Sequence, residues 1–272
     1  MLRSLKSLKD SVIQVDDGGV GIVVDFLFDD EKWTVRYLVV DTGTWLSGRK
    51  ILISPISVES VETSTHAIRV LLTKQQIEQS PTIDTDKPVS RQMEATYHDY
   101  YQWPYYWVGY GIWGGAPYPA GMLQRPYPIR TRESSENNQS DEGDPHLRST
   151  HAVRGYGIEA TDHHFGNVED FIIDTESWEI RYLVIDTIKF WPSKSVIISR
   201  HWVDSISWAD RKLRVTLTKE LIKESPEYSP DLPINREYEE RLYDYYGRPT
   251  YWTQDSSPSV MKSEKHPGRF KL

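Results

Sequence analysis

The residues of this chain best suited to chemistry are a histidine pair and a set of charged side chains that occurs twice. His163 and His164 follow Asp162, a grouping that could ligate a divalent cation. Adjacent histidines in a tight turn point apart, however, and a metal site needs donors that converge. The spacing predicts a solvated turn there and no metal. Asp25, Asp29, Arg36 and Asp41 return as Asp170, Asp174, Arg181 and Asp186, and carboxylates beside a guanidinium can act as acid and base. Such catalysis requires a shifted pKa in a cleft, which a small closed sheet does not offer by default. The expectation is structural pairing. No G-x-S-x-G element supports a serine nucleophile. The chain contains no cysteine, which removes thiolate chemistry, disulfides and the usual structural zinc sites. No catalytic residue, cofactor or metal is expected, and the chain reads as not an enzyme.

These charged residues sit in a repeat. Trp33–Thr42 (WTVRYLVVDT) returns as Trp178–Thr187 (WEIRYLVIDT), an offset of 145 residues. That offset aligns Met1–Trp107 with His146–Trp252 without a gap, and about 40 of the aligned positions are identical. A self-match of this length means one structural unit present twice. Trp33, Val35, Tyr37 and Val39 alternate with their neighbours, so the stretch predicts the central strand of a small sheet. A short strand near Val12–Val15, a long one over Gly21–Phe28 and two more at Lys50–Ser54 and near Ile68–Leu72, with turn residues between them, predict a small antiparallel barrel. A four-residue hairpin loop at Asp29–Lys32 would place Asp25 opposite Arg36, and Asp170 opposite Arg181. That spacing predicts an Asp–Arg clasp on each central hairpin.

Each barrel hands over to helix. Thr73–Gln76 fits a capping box, and Thr218 keeps the cap without the reciprocal partner. Ser80-Pro81 and Ser225-Pro226 end these short helices. A second helix starts at Ser90 and at Asn235, both good N-caps. Met93, Tyr97, Tyr100 and Tyr101 fall on one helical face, as do Tyr238, Leu242, Tyr245 and Tyr246. The favoured reading packs this stripe on a barrel or on the other repeat. The competing reading makes Tyr100, Tyr101, Tyr106 and Trp107, with Tyr245, Tyr246, Tyr251 and Trp252, a surface for a protein partner, because Tyr and Trp are favoured interface anchors.

The organisation expected is all-β with helical extensions. A first barrel covers 1–80 and a helical, aromatic arm 81–107. A linker over 108–145 is rich in Gly, Pro and aromatic residues and then polar. A second barrel covers 146–225, a second arm 226–252, and a disordered tail 253–272. Net charge is −8 with no long Lys/Arg run, which argues against a nucleic-acid partner. No apolar run approaches the ~18 residues that span a bilayer, and the aromatic segment lacks the basic residues of a membrane-surface helix. A soluble, cytoplasmic protein is the expectation, with membrane contact not expected.

Gly21-x-Val23-x-Asp25, Asp29, Arg36–Asp41 and Ile51–Ser54, with their second-copy counterparts, resemble the PRC-barrel family. The resemblance covers residues 1–80 and 146–225 and implies two PRC-type barrels in tandem, each of about six strands and used as an interaction module. It also implies a distant likeness to the cytoplasmic barrel of the photosynthetic reaction-centre H subunit, a bacterial setting and tandem-barrel relatives with helical extensions. The reading is a non-catalytic interaction or assembly module. It has an unidentified protein partner and either pseudo-two-fold pairing of the barrels or homo-oligomerisation. The alternatives are a membrane-associated accessory of photosynthetic electron transport and an enzyme with an unrecognised site.

Overall fold

The computed structural model describes residues 1–83, 88–124, 146–187 and 194–254. Two units result, Met1–Ile234 and a second from Asn235 onwards. The first half of the larger unit contributes β1 (Leu2–Ser4), β2 (Val12–Val15), β3 (Gly18–Asp29), β4 (Thr34–Asp41), β5 (Lys50–Ile53), β6 (Val58–Glu62) and β7 (Ala67–Val70). Its second half contributes β8 (Leu147–Ser149), β9 (Gly157–Glu159), β10 (His164–Asp174), β11 (Ile180–Asp186), β12 (Ser195–Ser199), β13 (Val203–Ser207) and β14 (Lys212–Val215). One sheet runs β5-β4-β3-β2-β7-β6 and the other β12-β11-β10-β9-β14-β13.

Each sheet gains its seventh strand from the other half of the chain. β1 pairs with β10, Arg3 opposite Ile173, and β8 pairs with β3, Arg148 opposite Phe28. The hairpin tips also exchange hydrogen bonds: Val35 N–H donates to the Trp178 carbonyl at 2.9 Å, and Ile180 N–H to the Trp33 carbonyl at 2.7 Å. Trp33 and Trp178 reach this geometry with φ of 51° and 59°. A left-handed backbone costs a bulky residue roughly 1–2 kcal/mol, and the paired contacts between the halves offset it.

Two expectations about the sheet change. Neither sheet closes into a barrel among the described residues. In each sheet the two end strands are consecutive in the chain and are joined by a 3₁₀ turn, Pro55–Ser57 in one and Arg200–Trp202 in the other, with no ladder between them. The pairing is also not wholly antiparallel, because β2 runs parallel to β7 and β9 parallel to β14. Thr34–Val40 of the central strand β4 are all buried.

The helices of the larger unit are α1 (Leu5–Leu8), α2 (Lys74–Glu78), α3 (Arg91–Tyr101), α4 (Ala120–Leu123), α5 (Thr150–Val153) and α6 (Lys219–Glu224). Both hydrogen bonds of the Thr73–Gln76 capping box are present on α2. Thr218 caps α6 by accepting from Leu221 N–H alone. Ser90 caps α3, and the glutamine after that helix, Gln102, takes the left-handed conformation that ends it. The second unit holds α7 (Arg236–Tyr246), capped by Asn235 and ended by Gly247, and α8 (Tyr251–Gln254). No helix among the described residues is long and apolar enough to cross a membrane. Most of the loop at 188–194, residues 125–145 of the linker, and 255–272 of the tail lie outside the described residues.

Candidate functional site

The charged residues of the first hairpin are committed to the fold. Arg36 Nη2 lies 3.0 Å from Asp29 Oδ2, with both side chains buried, and Arg36 Nη1 donates to the Ile112 carbonyl oxygen at 2.5 Å. The guanidinium sits 4.0 and 4.7 Å from the ring centroids of Tyr106 and Trp113, a desolvated cation–π arrangement. The expected Asp25–Arg36 clasp does not form. Trp33 is left-handed at the hairpin tip and a bulge interrupts the ladder between Leu27 and Phe28, so Asp25 faces Val39. Asp25 instead accepts from Ser149 Oγ at 2.5 Å, Thr150 Oγ1 at 2.9 Å and His151 N–H at 3.1 Å, at the start of α5.

The Asp170–Arg181 clasp is absent for the same reason. Asp170 faces Val184 and accepts from Ser4 Oγ and, at 3.1 Å, from Lys6 N–H at the start of α1. Burial raises its pKa against the hydrogen bonds from Ser4, Phe171 and Lys6 and the charge of Arg154. Arg181 pairs with Glu179 at 2.9 Å. Each aspartate therefore caps the first helix of the other half.

A second polar cluster joins α3 to β4. The Glu94 carboxylate is fully buried and accepts from Tyr37 Oη at 3.0 Å and Tyr106 Oη at 2.5 Å. His146 Nε2 lies 2.7 Å and Arg91 Nη1 3.0 Å from its other oxygen. Burial acts to raise the Glu94 pKa, but the His146 hydrogen bond, the Arg91 charge and the Tyr106 hydrogen bond together hold it below the usual carboxylate range. Burial, followed by the Glu94 charge, pushes the Tyr37 phenol well above its ordinary value, and the same two causes do so for Tyr106. His98 Nε2 is 2.9 Å from Tyr37 Oη, and its Nδ1 is 2.9 Å from the Pro104 carbonyl oxygen. A carbonyl only accepts, so Nδ1 carries the proton. Burial lowers the His98 pKa to about 4.

Sequence reasoning missed Glu94 and His98. The signal was present for one of them: Arg91, Glu94, Tyr106 and Trp107 are identical to Arg236, Glu239, Tyr251 and Trp252 at the 145-residue offset. In the second unit, taken by itself, Tyr251 Oη donates to Glu239 at 3.0 Å and Arg236 pairs with Glu239 at 3.3 Å. Arg236 also lies 3.8 Å over the Trp252 ring. The first arm has the same construction, with Arg91 4.4 Å over Trp107.

The aromatic residues divide between core and surface. Tyr97, Tyr101 and Tyr106 are buried and Met93 is half-buried. In the second unit Leu242 and Tyr246 are buried, and Tyr238, Tyr245, Tyr251 and Trp252 are half-buried. Tyr101, Tyr106 and Tyr246 therefore do not belong to an exposed surface, because their apolar rings are taken up in packing. Tyr100 stays exposed and donates to the Gln76 carbonyl at 2.8 Å. Trp107 is half-buried and stacks on Tyr105 with centroids 4.6 Å apart.

Beyond that stack the chain makes a tight turn that sequence patterning did not reveal. Gly111 N–H donates to the Gly114 carbonyl at 2.7 Å. A Cβ on Gly109 would meet the Gly114 carbonyl carbon at 2.9 Å, and one on Gly114 would meet the Val108 carbonyl oxygen at 2.8 Å. Both glycines have positive φ, 121° and 58°, a conformation glycine adopts without steric penalty. Trp113 anchors the turn, fully buried, its Nε1–H donating to the Ser177 carbonyl at 2.6 Å. Tyr110 stands fully exposed at the apex, beside exposed Val108.

His163 and Asp162 are exposed and 3.9 Å apart. Among the described residues no group of three or more His, Cys, Asp or Glu side chains could hold a metal ion. Residues 8–77 match the PRC-barrel domain. That match runs from the end of α1 through the PRC-type strands β2–β7 into α2, about a quarter of the chain. No curated protein matches the chain. The N-terminal part is thus PRC-barrel-like and is followed by helical regions.

Proposed function

We propose that this chain is a non-catalytic interaction module in which a second PRC-type unit follows the first, and that its partner is a protein. The observation that carries the reading is the contrast between charge and aromatic surface. Asp25, Asp29, Arg36, Asp170, Arg181 and Glu94 are each engaged by the fold's own hydrogen bonds and ion pairs. Meanwhile Tyr110, Val108 and the Tyr105–Trp107 stack stand at or near the surface on a turn anchored by Trp113. Aromatic side chains held by a rigid support lose little entropy on binding and serve as interface anchors.

The duplication is supported by the gapless 145-residue offset and by the matching strand orders of the two sheets. A cytoplasmic location is part of the proposal. Affinity capture with the full chain and with Tyr110→Asp tests it: a protein retained by the wild type and lost by the variant is expected. Identical retention by both would remove the turn from the interaction.

A further inference from the structure

A cleft of about 670 Å³ opens between strands β3–β5 and the α5 region of the second half. Val24, Leu27, Val39 and Leu52 line it with apolar surface, Lys9, Lys50, Arg148 and His151 give it basic side chains, and Asp25 is its carboxylate. A small recess shared by Lys9, Asp25, His151 and Arg154 adjoins it. Clefts of this volume between packed units, apolar with a few polar groups, are the usual form of a small-molecule site.

The repeat supplies an internal comparison. At the 145-residue offset Val24 matches Glu169, Ile83 matches Tyr228, Lys9 matches Arg154, and His151 matches Lys6. In the second half these positions satisfy one another. Lys6 Nζ lies 3.4 Å from Glu169 Oε1, and Arg154 Nη2 lies 3.3 Å from Asp170 Oδ1. Tyr228 is buried, its N–H donates to the Ser195 carbonyl at 2.8 Å, and its neighbour Glu227 forms a bridge with Val196.

The first half lacks these fillings. Valine replaces the glutamate. Asp25 is already saturated by Ser149, Thr150 and the His151 N–H. Among the described residues Thr82, which matches Glu227, makes no bridge to Ile51, and Lys9 makes no ion pair. An apolar lining that includes Ile83 remains, with the Lys9 cation, in place of the Glu169 carboxylate and the larger Tyr228 ring opposite.

We propose that this cleft binds a small amphipathic carboxylate. Its apolar body lies on Val24, Leu27, Val39 and Leu52. Its carboxylate lies on the basic side formed by Lys9 and His151, where a partly desolvated charge pair is stronger than in water.

Calorimetric titration of the full chain with sodium decanoate tests this, with 1-decanol and decylamine as comparisons and displacement of anilinonaphthalene sulfonate as a second readout. Saturable one-to-one decanoate binding is expected. Lys9→Glu should weaken it at least tenfold while leaving decanol unchanged, and Val24→Glu, which copies the second half, should abolish it. Circular dichroism of both variants reports that the sheets are retained. Absence of saturable binding overturns the proposal, as does decylamine binding as tightly as decanoate, or a folded Lys9→Glu chain that binds decanoate like the wild type.

Discussion

Asp25 on β3 accepts a hydrogen bond from the Ser149 hydroxyl, a residue 124 positions away that opens the first helix of the other half. Asp170 and Ser4 make the reciprocal contact. These bonds hold the exchanged strands β1 and β8 where they join their helices. An unmade buried hydrogen bond costs about 1–3 kcal/mol. Asp25→Ala is therefore expected to lower the unfolding free energy by that amount in urea melts. Ser149→Ala is expected to cost less in its presence than alone, because the Ser149–Asp25 contact is then already gone and only the cap on Ala152 N–H remains to be lost. Full additivity would contradict the contact.

Arg36 and Asp29 form a buried ion pair. Arg36→Met strands the Asp29 carboxylate, and removing one partner of such a pair costs ~3–5 kcal/mol. The double change Arg36→Met/Asp29→Leu is expected to recover part of that loss, because no lone charge is left buried while the Glu31 and Lys32 N–H groups lose Asp29 Oδ1 as their acceptor. Chemical denaturation of the three variants provides the comparison.

His98 gives stability a pH dependence of known sign. Its folded pKa, lowered to about 4, lies below the ordinary 6.5. Between those values the unfolded chain binds a proton that the folded chain does not. The neutral buried ring therefore leaves stability intact above pH 6.5 and lets it fall as pH drops toward 4, by up to ~1.4 kcal/mol per pH unit. His98→Gln is expected to flatten that part of the profile relative to wild type. Parallel profiles over pH 4–6.5 would show that His98 takes up its proton as readily folded as unfolded.

Strand β1 pairs with β10 over only three residues, Leu2–Ser4. Deleting residues 1–4 leaves that edge of β10 unpaired and removes the Met1 carbonyl, so faster amide exchange is expected at Thr175, while Asp174, whose N–H donates to the Glu179 carbonyl, keeps its protection. The β3 segment Leu27–Asp29, covered by β8, should keep its protection.

Local signals in the sequence marked the elements well and their pairing poorly. The Thr73–Gln76 box and the Ser90 and Asn235 caps are side chain–backbone bonds within one turn, so composition reveals them. The exchange of Leu2–Ser4 was not legible, since three residues carry no information about which sheet they join. The hairpin register was lost at Trp33, because a left-handed tryptophan has no local signature and its compensating contact, with Ile180, is 147 residues distant. Glu94 reads as a solvated helix residue until His146 and Tyr37 are brought to it by the fold. Barrel closure was not legible, because strand count does not say whether the end strands joined through Pro55–Ser57 and Arg200–Trp202 pair with each other.

The central claim is that the chain binds a protein through its exposed aromatic turn and performs no chemistry there. Quantitative affinity capture from lysate of the native organism tests it most directly, using wild type, Tyr110→Asp and the remote variant Asp162→Asn. The account predicts one partner captured in near-stoichiometric amount by wild type and Asp162→Asn and reduced at least tenfold by Tyr110→Asp. The same partner held equally by all three, or no stoichiometric partner at all, would contradict it.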